Sequence, residues 1–259
     1  MSKFRALLIS GLVLAAIPTL PVAANLMGED AVPRVADPLC PGVMGMQTDA
    51  ALQILDRIRY NAQRLQIRLA DPEVCQPNLV VAFVDNGRDS IAKLMRSQPQ
   101  LFETLSTPER RDLLTEQGPV HAWSYVATRT LDGMRVPIHR NLEQIPQFTT
   151  WSAHSKIYIA TRQDIVSTVV LYNAKEVGGL TTKQLADYAT MRSLAADYSV
   201  HPHGSATILK LFDNSAAQPD ELTETDLAFL RSLYSGIPNL PADAKNKSME
   251  QELRVQGGD

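Results

Sequence analysis

The sequence predicts an α+β fold, a mixed sheet of about four strands with helices packed on it, in one domain from 38 to 241. Three observations lead there. Strand-like apolar runs stand early and in the middle of the chain, and the best-marked helix starts gather in the last third. No repeat of roughly 20–50 residues and no long linker divides the sequence. At 44% apolar and 20% charged, the chain has enough apolar residues for one sizeable core.

The first 24 residues read as a signal peptide. Lys3 and Arg5 form a basic start, Ala6 to Leu20 is mostly apolar, and Pro21-Val22-Ala23-Ala24 ends in small residues suited to cleavage. The apolar run is broken by Pro18 and falls short of the roughly 20 residues needed to span a bilayer, so no membrane span is expected after cleavage. Residues 25–37 read as an extended leader. Asp49 is the expected cap of a first helix, whose stripe runs through Leu52, Leu55, Ile58, Ala62, Leu65 and Leu69 until Asp71-Pro72 stops it. Asn78 to Val84 is a short continuous apolar run, which predicts a buried central strand. A helix is expected from Asp89 to Arg96, and another opens at Thr107-Pro108-Glu109. Val120 to Thr130 predicts a second strand. Lys156–Thr161 and Ile165–Tyr172 are β-branched and aromatic, and the polar Arg162-Gln163-Asp164 between them predicts a hairpin. Thr181-x-x-Gln184 and Thr223-x-x-Asp226, each preceded by leucine, are capping boxes that open two further helices. The polar residues 242–259 read as a flexible tail.

Cys40 and Cys75 are the only cysteines. In the oxidising compartment that a signal peptide implies, the periplasm or the exterior, an even pair predicts a disulfide. Two lone cysteines are too few for a metal site. The formal net charge of −3 becomes −5 once Lys3 and Arg5 leave with the signal, and the remaining basic residues are scattered among acids. Nucleic acid is therefore not an expected partner.

The segment from Lys156 to Tyr234 places a capped helix after the sheet and closes on Leu222-Thr223, Asp226 and Leu233-Tyr234. In this pattern it resembles the zincin-like metallopeptidases. The chain as a whole resembles a group of exported proteins of Gram-negative bacteria, a likeness that implies export but no particular activity. A zincin needs His-Glu-x-x-His, two imidazoles at i and i+4 with a carboxylate beside the first. No His-Glu pair occurs; Asp187, Tyr188 and Met191 occupy the motif's place. Aspartate and thioether make a poor zinc pair, and a phenol is no carboxylate base. Read plainly, the helix packs Met191 and Leu194 into the core with Asp187 at an edge.

His201 and His203 are the other clustered candidates. Together with Asp187, Tyr188 and Met191 they mark the expected cleft. His121 and His154 flank strands and read as structural or surface residues. Ser90-x-x-Lys93 has the spacing of a serine–lysine pair but lacks the companion motifs. Trp123, Trp151 and Tyr125 read as core aromatics. No phosphate loop, dinucleotide fingerprint, nucleophile elbow or calcium loop is present, so no cofactor and no metal are expected. The resulting expectation is an exported, non-catalytic binding or interaction domain on a zincin-like scaffold without its metal ligands, its partner a protein or a small molecule. The alternative is a periplasmic or secreted peptidase-like hydrolase, which two histidines and an acid meeting in one cleft would favour; a structural envelope protein is a third reading.

Overall fold

The computed structural model describes residues 30–136, 158–196, 206–213 and 218–257. The signal peptide, His139, Trp151, His154, His201 and His203 lie outside the described residues. The sheet is built around β3 (Leu79–Val84) and β5 (Thr161–Asn173), which run parallel, with Leu79 opposite Thr168 and Val84 opposite Asn173. β2 (Pro41–Met44) extends it in parallel on the far side of β3. β4 (Val120–Thr130) pairs antiparallel along the whole of β5. β1 (Arg34–Val35) is parallel to β5 at Asp164–Ile165 and shares an edge of β5 with β3.

The apolar run of β3 is explained by burial on both faces. Leu79, Val81 and Phe83 join Val170 and Tyr172 on one face, under α1 (Thr48–Arg64), α4 (Thr182–Leu194) and α5 (Glu224–Tyr234). Ala82, Leu171 and Trp123 face the other way, against α2 (Gly87–Ser97), a 3-10 turn at Pro99–Phe102 and α3 (Thr107–Thr115). Helices on both faces of a largely parallel sheet make this a mixed α/β arrangement rather than the α+β order expected. The strand-rich middle of the sequence concealed it because β2–α1–β3 is a parallel crossover, and α2 and α3 carry the chain from β3 to β4, whose antiparallel pairing with β5 leaves β5 parallel to β3.

The Cys40–Cys75 disulfide closes the β2–α1–β3 unit, with Cα atoms 6.2 Å apart across a separation of 35 residues. A loop of that length corresponds to about 4 kcal/mol in the chain-entropy model.

Several elements differ from expectation for identifiable reasons. α1 ends at Arg64, well before Asp71-Pro72, and buries Ile54, Ile58, Asn61 and Ala62 while Leu52 is exposed. Asp49 lies in its first turn rather than at its cap, and α3 is capped by Ser106, one residue before Thr107. No hairpin turn forms at 162–164: the expected turn and second arm make one continuous strand, while 158–160 of the expected first arm are not strand and Lys156 and Ile157 lie outside the described residues. The charges at the expected turn are matched within the sheet: Arg162 donates to Asp164 on the same strand at 3.1 Å, and Arg129 on β4 lies 3.4 Å from the same carboxylate and pairs with Asp37. The leader is also partly structured, since Arg34 donates to the carbonyl oxygens of Leu233 and Ser235. Residues 242–257 are a helix, α6, not a loose tail. Met249 is buried, and the Lys245 ammonium donates to the carbonyl oxygens of Ser232 and Ser235 at the end of α5. Both capping boxes form as the spacing predicts, Thr181 with Gln184 and Thr223 with Asp226.

Candidate functional site

α4 is specified at its start by the capping box and along its length by burial. Asp187 is 0% exposed. Its carboxylate accepts two hydrogen bonds from Arg57, both at 2.7 Å, one from the Asn61 amide at 2.6 Å, and one from the Leu222 backbone N–H at 2.8 Å. Asp187 is thus an internal tie between α1, α4 and the approach to α5, not an edge residue. Tyr188 packs edge-on against Phe212, ring centroids 4.9 Å apart, and Met191 is wholly in the core. These three residues are buried among the described residues.

Ser90 hydroxyl donates to the Asn86 carbonyl, so it is held in the first turn of α2, and Lys93 is exposed. Trp123 is stacked on Phe102 in the core.

The concavity that the topology sets apart lies at the carboxyl ends of β3 and β5. After β3 the chain turns to α2 on one face; after β5 it leads to α4 on the other. The two neighbouring parallel strands therefore part at their ends, and such a switch point is where open α/β sheets leave a ligand crevice. A polar pocket of about 250 Å³ occupies this place, lined by Asp85 and Asn86 after β3, Asn173 and Glu176 at the end of β5, Glu116 after α3, and His121 on β4.

His121 is the anomaly within it. Alternation along β4 sends Val120 and Ala122 to the α1 face and His121 and Trp123 to the α2 face. The imidazole is only 1% exposed, yet its Nδ1 has no hydrogen-bond partner. The nearest acid oxygen, on Glu116, is 3.9 Å away, beyond hydrogen-bond reach. Burial lowers the His121 pKa below the usual histidine value, with Arg88 acting in the same direction and Glu116 and Glu176 opposing it, so the ring is neutral at pH 7. An orphaned buried ring nitrogen costs about 1–3 kcal/mol, which a ligand group would recover.

The surrounding groups are fixed. The Asn173 side chain accepts from the Gly87 N–H at 2.6 Å and donates to the Gly118 carbonyl and to Glu176 at 2.7 and 2.8 Å. Gly87 lets α2 start against the imidazole: a Cβ there would lie 2.4 Å from His121 Cδ2. The sequence carried one signal for this site, a histidine inside a predicted strand. The acids that face it come from three other segments and leave no local pattern.

A second concavity, of about 410 Å³, is bordered by Arg64, Arg68 and Arg231. Arg64 and Arg231 lie in the last turns of α1 and α5, where a cation complements the helix dipole, and Arg68 donates to the Ala36 carbonyl. Their placement follows from the helix ends without a ligand.

No family model, curated protein or solved structure matches the chain.

Proposed function

We propose that the protein is an exported, non-catalytic binding domain that holds a small polar ligand in the switch-point pocket against His121, on a zincin-like scaffold that lacks metal ligands. The observation that carries the binding reading is the buried, unpartnered Nδ1 of His121 lining a pocket at the parting of β3 and β5. The scaffold half is supported by α4, which follows the last strand, starts at a capping box and packs on the sheet as the resemblance of Lys156–Tyr234 implies. The position that would supply zinc ligands holds Asp187, whose carboxylate is taken by Arg57, Asn61 and Leu222. Among the described residues, no three histidine, cysteine, aspartate or glutamate side chains converge as a metal site. Export is supported by the disulfide, a bond that persists in oxidising compartments.

The His121–Glu116 approach favours one second reading, a hydrolase in which the imidazole takes a proton from water. The pocket lining holds no serine, threonine or cysteine to serve as a nucleophile.

A thermal-shift panel of amines, polyols, carboxylates and amino acids, run on the wild type and His121→Gln, tests the proposal. At saturation near 100 times Kd, a ligand raises the melting temperature of a chain this size by roughly 5–10 °C. At least one compound class is expected to do so in the wild type and not in His121→Gln. Shifts that survive the substitution would place binding elsewhere, and peptide cleavage lost in His121→Gln would put the hydrolase reading first.

A further inference from the structure

The chemistry of the same pocket narrows the ligand, an inference that rests on the binding reading above. Apart from the exposed side chains of Arg88 and Gln117, the donors named around the pocket are already used. Gly87 N–H is bonded to Asn173, and the Asp89 and Ser90 N–H groups are bonded to the side chain and carbonyl of Asn86, so the first turn of α2 has little left to offer an anion. Both amide hydrogens of Asn173 are engaged. What remains is a set of acceptors: the buried, unpartnered Nδ1 of the neutral His121, the carboxylates of Asp85 and Glu116, and the second oxygen of Glu176, whose other oxygen is held by Asn173. Three carboxylates face one cation, Arg88.

The complementary group has several donors, no acceptor and a positive charge, and a primary ammonium meets all three conditions. Geometry agrees. His121 Nδ1 and a Glu116 oxygen lie 3.9 Å apart. That is too far to bond each other but close enough for a single nitrogen about 2.8 Å from both to bridge them. We infer that the pocket binds small molecules through a primary ammonium group shared between His121 Nδ1 and the Glu116 carboxylate. The ring then carries its proton on Nε2, leaving the Nδ1 lone pair to accept. A carboxylate ligand would meet three like charges, and an alcohol would satisfy the imidazole but leave the acids uncompensated.

Calorimetric titration of the disulfide-bonded protein with n-butylamine, n-butanol and butyrate tests this. n-Butylamine is expected to bind, with the alcohol and the acid weaker by about tenfold or more. Glu116 is more than half exposed, so Glu116→Gln keeps the fold and is expected to weaken n-butylamine by about tenfold. His121→Gln is expected to weaken it similarly, with an unchanged far-ultraviolet spectrum as the folding control. n-Butanol or butyrate binding as tightly as the amine, through His121, would overturn the ammonium inference and leave the pocket as the site. Amine affinity unchanged in both variants would overturn the pocket itself.

Discussion

At the residue scale, the same polar chemistry has two fates. Asp187 is buried with every hydrogen bond its carboxylate needs, whereas His121 is buried with one ring nitrogen unmatched. The first is a structural tie. Asp187→Ala removes the buried acceptor and leaves the Asn61 amide and Leu222 N–H without it. Arg57 retains Glu221 at 3.0 Å and some solvent contact, which moderates the loss. The expected cost is about 3 kcal/mol, the lower end for breaking a buried pair, or roughly 6–12 °C in melting temperature for a chain of this size. A thermal melt of the variant within 2 °C of wild type (about half a kcal/mol) would show that the pair carries no structural role. None of this was legible around Asp187, because Arg57 lies 130 positions away. The position of Met191 and Leu194 in the core was legible, since helical spacing alone puts them on the packed side.

At the element scale, the starts of helices were readable and one end was not. A capping box is a local device, two side chains three residues apart, so Thr181/Gln184 and Thr223/Asp226 announce their helices without tertiary help. The end of α1 is also a local device, but with an unexpected residue in it. Ile67 N–H bonds the Ala62 carbonyl and Gln66 N–H bonds the Gln63 carbonyl, the pattern that closes a helix through a left-handed residue. That residue is Gln66, φ 56°, where glycine is usual. With no glycine or proline to mark it, the apolar spacing through Leu69 carried the predicted helix too far. Left-handed backbone costs a non-glycine residue about 1–2 kcal/mol, and glycine's extra freedom when unfolded returns roughly 0.5–1 kcal/mol of that. Gln66→Gly is therefore expected to stabilise the protein by about 0.5–1 kcal/mol, measured as a higher urea midpoint at unchanged slope. A lower midpoint would mean that the Gln66 side chain contributes more than its backbone costs. β5 misled in the opposite direction. Arg162 and Asp164 read as a turn because the partner of Asp164 on the facing strand, Arg129, comes from a distant segment and is itself held by Asp37.

At the scale of the whole molecule, layering decides where function can sit. The α1, α4 and α5 layer holds the larger core and, through Asp187, its internal ionic tie; α6 is docked on it by Met249 and Lys245. Burial, with the Arg34 cation acting the same way and Glu252 opposing, lowers the Lys245 pKa to about 8, and this cost is accepted where the ammonium satisfies two carbonyls at the end of α5. The α2 and α3 layer is smaller, and the pocket opens where the chain divides between the two. Strand order and handover between faces are properties of the assembled sheet, so the sequence could name a buried strand at 78–84 but not the crevice at its end. The test that bears most directly on the pocket is nitrogen NMR of protein labelled at its histidine side chains, titrated with the panel compound that most raises the melting temperature. The His121 ring nitrogens, identified by their loss in His121→Gln, are expected to shift with the same midpoint as thermal stabilisation. A compound that binds while those resonances stay fixed would contradict the assignment of the switch-point pocket as the functional site.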